Sequence, residues 1–285
     1  MHGIGPPLVT PFTESGDVDD DALRDLVRWV EARGVDFLVP CGSNSEAELM
    51  TADERAHVVD VVADEASVPV LAGTGHPGLR ETLDQTDRAA DAGADAALVV
   101  TPFYFHHDDA ALEAYYETVA DESSLPVYLY SVPAYTGVTL DPAVAGRLSA
   151  HENVHGMKDS SGDIEAFVRT HRRVDDEFDL LVGSGSVLAN ALDVGAAGGV
   201  LALANVAPEA SAEVYRRHRA GDRQGARGLN ADLVELNRAV TARFGIPGLK
   251  AAMRARGAPA GYARCPHQPV GDEARRELES LVAEL

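Results

Sequence analysis

Lysine is almost missing from this chain. Of its 24 basic residues only Lys158 and Lys250 are lysines, and the other 22 are arginines. Positive charge is scarce altogether: 46 acids face those 24 bases, giving a net charge of −22 and a sequence pI near 4.7. Such a surface repels nucleic-acid phosphates and anionic lipid, so neither is an expected partner. The acids cluster in stretches such as DVDDDALRD and RRVDDEFD. With the lysine shortage they point to a salt-rich, halophilic cytoplasm, where carboxylates hold hydrated cations and self-repulsion is screened. Cysteine is scarce too: Cys41 and Cys265 form neither a disulfide framework nor a metal-ligand spacing, which fits a reducing compartment. No apolar run approaches the ~20 residues that a membrane span needs. The opening MHGIGPPLVTPF lacks a basic region followed by an apolar core, so a soluble cytoplasmic protein is expected.

What is present is a repeating unit. Hydrophobic residues make up 45% of the chain, enough for a large core. Eight short apolar runs recur, beginning at Gly3, Asp36, Val68, Ala96, Pro126, Val154, Asp179 and Gly198. Between them lie stretches of helical period, such as DDALRDLVRWVEARG with Leu23, Leu26, Val27 and Val30 on one face and Gly34 closing it. Strands that are apolar throughout and alternate with helices predict a parallel sheet covered on both faces. Eight units predict an α/β fold of the (β/α)8 TIM-barrel type over residues 1–205. No Gly-x-Gly-x-x-Gly turn follows the first run, which argues against a dinucleotide-binding sheet. After Asn205 the strand signal stops, and residues 206–285 read as a three-helix C-terminal extension packed on the barrel.

In such barrels the chemistry sits at the C-terminal ends of the strands. Those ends carry CGSNSE, GTGH, TPFYFHH, YSVPAYTG, MKDSS and GSGS, rich in Gly, Ser, Thr, Asn and Tyr and poor in charge. One lysine among phenols and backbone amides suits carbonyl chemistry on a small anion. Two-carboxylate hydrolysis or metal-assisted phosphoryl transfer would need acids or metal ligands there. Lys158 is the candidate nucleophile: where charge alone suffices the chain uses arginine, and only lysine can act as a neutral amine. The competing reading is a lysine that pairs with Asp159 or an exposed acid. Tyr130 is placed to relay protons, or else is a core tyrosine with a satisfied hydroxyl. The turn Gly42–Glu46, with Ser43 and Asn44, can hold a carboxylate on its backbone amides ahead of a helix starting near Thr51. Glu46 reads as a cap for backbone amides rather than a catalytic acid. Ser184, in the GSGS end, is a further candidate substrate contact. Adjacent His106 and His107 lack further spaced ligands and read as loop residues, so no metal is expected. Cys41 reads as a small buried residue at a strand end.

These pieces in this order resemble the dihydrodipicolinate synthase/N-acetylneuraminate lyase family of class I, Schiff-base barrel enzymes. The markers are LVTPF at 8–12, GSNSE at 42–46, AGTG at 72–75, VTPFY at 100–104, YSVP at 130–133, GMKDSSGD at 156–163 and PGLKAA at 247–252. The resemblance implies that Lys158 forms a Schiff base with pyruvate or a 2-keto acid, with no other cofactor, and that Tyr130 relays protons. It implies that Ser43 and Asn44 bind the keto acid's carboxylate and that the backbone of Leu201 lines the same pocket. Tyr104 matches a tyrosine that enters a neighbouring subunit's site, so a homotetramer, a dimer of dimers, is implied. Lys250 matches a recurrent lysine of the C-terminal helices.

One departure separates family members. Synthases that condense pyruvate with aspartate semialdehyde carry an arginine two residues after the proline of YSVP, and this chain has Tyr135 there. Losing a bidentate carboxylate partner works against that reaction. The GSN turn instead resembles that of 2-keto acid aldolases. The expectation is therefore an aldolase cleaving 2-keto-3-deoxy sugar acids, 2-keto-3-deoxygluconate or its 6-phosphate, to pyruvate and an aldehyde, as in Entner–Doudoroff sugar-acid breakdown. Its rivals are the synthase, a sugar-acid dehydratase using the same lysine, and a non-catalytic keto-acid-binding paralogue. Position alone leaves open whether arginines and His76 near the strand ends serve a phosphate.

Overall fold

The computed structural model describes all 285 residues. Seven parallel strands form one sheet: β1 (Gly3–Gly5), β2 (Leu71–Gly73), β3 (Ala96–Val100), β4 (Val127–Ser131), β5 (Val154–Asp159), β6 (Asp179–Val182) and β7 (Gly198–Val200). Their order is β1-β7-β6-β5-β4-β3-β2, so β1 and β2 are the two edges. The second predicted run joins those edges. Residues 36–40 bridge Val39 to Pro7 on one side and Leu38 to Val70 on the other, closing the barrel. This run makes bridges rather than a full strand because its neighbourhood is rich in proline. Pro6, Pro40 and Pro69 accept ladder bonds from Val39, Gly73 and Leu38, but no proline N–H can return one.

Several crossover helices begin with a side-chain cap. Helix α1 (Asp20–Glu31) starts on Asp19, whose side chain accepts from the Ala22 N–H, and buries the four predicted positions Leu23, Leu26, Val27 and Val30. Helix α2 (Ala52–Glu65) starts on Thr51, with Glu54 completing a capping box. Then follow α3 (Leu79–Asp91), α4 (Asp109–Glu122), the short α5 (Pro133–Thr136), α6 (Pro142–Leu148), α7 (Ile164–His171) and α8 (Leu188–Asp193).

The first helical segment predicted after Asn205 is subdivided. It comprises α9 (Pro208–Arg219), α10 (Arg223–Asp232) and α11 (Val234–Arg238), broken where Gly221 takes a positive φ and Asp222 caps the next helix. Helix α9 packs against β1 and α8, where a barrel's last helix belongs. Helices α12 (Gly245–Ala255) and α13 (Asp272–Val282) pack on each other, and α12 also reaches the 3-10 turn after β7.

Two apolar layers follow from strands buried on both faces. A 64-residue cluster fills the space between sheet and helices. A separate ten-residue cluster fills the barrel interior, including Phe37, Leu71, Leu98, Tyr128, Tyr130, Leu181 and Val200. Large interior rings require glycine opposite them. A Cβ on Gly156 would stand 2.5 Å from the Tyr128 ring, and one on Gly5 2.3 Å from Phe37. Tyr128 in turn donates to Asp179 at 2.7 Å, which closes the interior layer at the N-terminal ends of the strands.

Candidate active site

Strands β4 and β5 are neighbours in register, with Tyr130 opposite Lys158 and Ser131 opposite Asp159. Side chains alternate along a strand, so Tyr130 and Lys158 share one face while Ser131 and Asp159 share the other. Lys158 is 3% exposed, and its Nζ lies 4.2 Å from the centroid of the Tyr130 ring. Asp159 does not pair with it. The carboxylate instead accepts the Ser161 N–H at 2.8 Å, and burial holds its carboxyl above the usual carboxylate range. The lysine therefore sits inside the barrel against an aromatic ring, with no acid in ion-pair reach.

The Tyr130 hydroxyl meets the Ser43 hydroxyl at 3.3 Å, which links the lysine's strand pair to the Gly42–Glu46 turn. That turn is a 3-10 turn flanked by two non-glycine residues at positive φ, Cys41 at 57° and Glu46 at 59°. Backbone strain of this kind persists only where surrounding contacts impose it. Here the contacts are identifiable. Ser45 donates to the Leu8 carbonyl and accepts the Gly42 N–H at 3.1 Å, while the Ser45 and Glu46 N–H groups close the turn on Gly42 and Ser43. The N–H groups of Ser43 and Asn44 are left without a protein acceptor. Two adjacent free amides beside a serine hydroxyl make a concave anion-binding surface.

Glu46 is held from behind. Its carboxylate accepts from Lys250 Nζ at 2.6 Å and from the Arg264 N–H at 2.8 Å, and Lys250 also donates to the carbonyls of Thr10 (2.7 Å) and Tyr262 (2.6 Å). Burial pulls the Lys250 ammonium down to about 8 against the opposing pull of Glu46. Arg264 adds bonds to Glu54 and to the carbonyls of Gly16 and Leu49. Helix α12 and the segment after it thus clamp the turn. Glu46 does accept a backbone amide, as expected, but its larger partner is the buried lysine.

A cavity of about 280 Å³ opens beside this cluster. Gly42, Ser43, Tyr130 and Tyr135 line it, together with Cys41, Glu48, Thr136 and His267. Lys158 is not on the lining; Tyr130 is the residue that touches both. Cys41 offers no nucleophile, since burial pushes its thiol up to about 12 and its Sγ contacts the Arg55 carbonyl. Tyr135, on α5, stands at the cavity mouth and is 65% exposed.

Other expected residues lie elsewhere. Leu201 and Ser184 are not part of the cavity wall, and Asn44, in the turn beside the wall residue Ser43, adjoins the wall without lining it. Leu201 is fully buried, its N–H bonded to Gly5 and its carbonyl to the Ala204 N–H, because the chain turns into a 3-10 helix directly after β7. Ser184 caps the 3-10 turn after β6. Tyr104 points outward at 86% exposure, at φ 78°, with its ring edge-on to Phe105. His106 and His107 lie exposed on the same loop, and no three His, Cys, Asp or Glu side chains gather as a metal site.

A buried lysine amine at a strand end, a phenol beside it and a turn with two free amides are groups able to serve addition to the carbonyl of a small carboxylate. The family model described as the dihydrodipicolinate synthetase family matches residues 1–285. The chain belongs to that family. It is accordingly a pyruvate-dependent lyase of class I, whose members work through a lysine Schiff base without a separate cofactor. A similar protein is an uncharacterized DapA-like lyase of Halobacterium salinarum, 39% identical over 290 residues, which span 100% of this chain and 94% of that one. The 4-hydroxy-tetrahydrodipicolinate synthase of Methanothrix thermoacetophila is 36% identical over 286 residues, covering 100% and 97%. Among solved structures, the Escherichia coli prophage protein YagE in complex with pyruvate superposes with a TM-score of 0.94. It is 31% identical, and the match covers 100% of this chain and 98% of YagE.

The strand-end reading reached Thr136 only within YSVPAYTG and did not reach Glu48, His267 or Arg55. Glu48 enters the wall because a second 3-10 turn, Ala47–Leu49, follows the first. His267 arrives from 219 residues beyond Glu48, with no local pattern to mark it. Arg55 is buried behind the wall, where its Nη2 donates to the carbonyls of Gly73 (3.2 Å) and Gly75 (3.3 Å).

Proposed function

We propose that this lyase is an aldolase that cleaves 2-keto-3-deoxy sugar acids, 2-keto-3-deoxygluconate or its 6-phosphate, to pyruvate and an aldehyde. The carrying observation is the juxtaposition of Lys158, Tyr130 and Ser43: an amine against the phenol ring, and the phenol hydroxyl 3.3 Å from the serine.

The substrate carboxylate sits on the free amides of Ser43 and Asn44. Lys158 Nζ adds to the C2 ketone, and loss of water gives an iminium. The C3–C4 electron pair flows into that iminium as the aldehyde forms. The C4 hydroxyl proton passes to the Tyr130 oxygen as Tyr130 passes its own proton to the Ser43 oxygen and Ser43 releases its proton to water in the open cavity. Run in reverse, the relay protonates C3 of the enamine. Water then hydrolyses the resulting iminium, freeing pyruvate and the amine. A positioned relay of this type contributes typically 10²–10⁴-fold.

The synthase reading draws on the names of relatives such as the Methanothrix protein. Against it stands Tyr135, which brings no positive charge to the position where that reaction needs a second-carboxylate partner. The exposed, strained Tyr104 beside Phe105 forms an aromatic patch suited to cover by a second copy, and supports a homotetrameric assembly. The charge of −22 and the Halobacterium relative support a halophilic cytoplasm. No helix is long and apolar enough to cross a membrane.

The test is pyruvate release. Purified protein with 2-keto-3-deoxygluconate and its 6-phosphate should release pyruvate from at least one of them. Condensation of pyruvate with aspartate semialdehyde alone would replace this reading with the synthase.

A further inference from the structure

The cavity has an inner end, where Ser43 meets Tyr130, and an outer wall that includes Glu48, Tyr135, Thr136 and His267. The inner end accounts for the keto acid. The outer wall must meet whatever lies beyond C4. Two acids line the cavity. Glu46 is taken up by Lys250 and the Arg264 N–H, whereas Glu48, exposed at the outer wall, has no hydrogen-bonding protein partner. Desolvation on its cavity side raises the Glu48 carboxyl, opposed by the charges of Arg55 and His76. Arg55, the buried cation nearby, spends its Nη2 on the carbonyls of Gly73 and Gly75, both of which also line the cavity. Arg55 itself is not on the wall, although its Nε has no partner, so the wall presents an anion with the Glu48 carboxylate and the Gly73 and Gly75 residues that hold Arg55. An arriving hydroxyl would find an acceptor in Glu48 and further polar groups in Thr136, Tyr135 and His267. A charge-assisted O–H···O⁻ bond is among the stronger ones available to such a ligand.

We infer that Glu48 sets the specificity for the distal half of the substrate: the site takes an uncharged, hydroxylated aldehyde fragment and rejects one bearing a phosphate or a second carboxylate. This rests on the aldolase reading and narrows it to unphosphorylated 2-keto-3-deoxy sugar acids. Glu48 acts as a binding residue; the bond-breaking steps stay with Lys158 and Tyr130. The discrimination is repulsive as well as attractive, since the carboxylate that accepts from a hydroxyl also opposes a neighbouring anion.

The experiment runs the reaction in the condensing direction. Wild-type protein and pyruvate are given D-glyceraldehyde, glyceraldehyde 3-phosphate or aspartate semialdehyde, and kcat/KM is measured for each acceptor. A parallel sample with borohydride scores the pyruvate adduct by mass. Glyceraldehyde should be favoured at least tenfold over its 3-phosphate. Glu48→Lys should narrow that ratio at least tenfold, and Glu48→Gln should narrow it less. A wild-type preference for glyceraldehyde 3-phosphate, or equal use of both, overturns the inference and leaves the aldolase reading standing. A preference for aspartate semialdehyde overturns both. An adduct with no condensation of any acceptor removes the aldolase reading and this inference with it. An unchanged ratio in a folded Glu48→Lys protein removes Glu48 as the determinant; where that variant does not fold, Glu48→Gln decides in the same way.

Discussion

Lys158 and Lys250 are both buried, at 3% and 0% exposure, and both lie close to an aromatic ring, Tyr130 at 4.2 Å and Phe12 at 4.7 Å. Their other neighbours are opposite in kind. Lys250 is saturated, with a carboxylate and two carbonyls around its ammonium. Lys158 has no acid in reach and faces a phenol that connects onward to a serine hydroxyl. Burial therefore does not separate the two lysines; their partners do. The saturated lysine holds Glu46, and with it the strained turn with its two free amides, while Lys158 has no acid beside it.

The largest expected effect separates the two directly. Lys158→Arg keeps the charge and removes the neutral nucleophile, so pyruvate-forming activity should fall to background and no adduct should form. Residual turnover with an adduct on another residue would break the comparison. Next comes Tyr130→Phe, which deletes the hydroxyl and keeps the ring over Lys158. Turnover should drop roughly 10²–10⁴-fold while the pyruvate adduct still forms, as read by steady-state rates beside borohydride trapping.

Lys250→Met leaves Glu46 buried without its cation and should cost about 3–5 kcal/mol of unfolding free energy in denaturant titrations. The folded fraction should still trap pyruvate on Lys158. Loss of trapping without loss of stability would move Lys250 into the chemistry.

The smallest effect concerns the outer tie of the same clamp. Arg264 hydrogen-bonds Glu54 and lowers its carboxyl to about 2, from an ordinary value of 4.5. The unfolded chain binds the proton more readily in that interval. The contribution is therefore complete above about 4.5 and is lost as pH falls toward about 2. Thermal melts of Glu54→Gln should lie below wild type at pH 6, and the gap should shrink by pH 3.

Much of this was legible in the residues. The period of α1 predicted its buried face at Leu23, Leu26, Val27 and Val30, and the apolar runs placed Tyr130 and Lys158 at adjacent strand ends. The second run was legible as a barrel position but not as an interrupted strand, since that depends on prolines at 6, 40 and 69 meeting across the closure. The distribution of partners was not legible at all. Lys250 finds Glu46 across 204 positions, and Glu48 and His267 meet the same cavity from the two ends of the chain. Leu201 and Ser184 lie at strand ends as read, each directly before a 3-10 turn, and neither is on the cavity wall.

The central claim is that the free lysine, not the saturated one, is the reactive amine. Borohydride reduction of the protein with pyruvate, followed by peptide mass mapping, tests it most directly. The expected result is one reduced pyruvyl adduct, on Lys158, with Lys250 unmodified. An adduct on Lys250, or none on either lysine in folded protein, would contradict it.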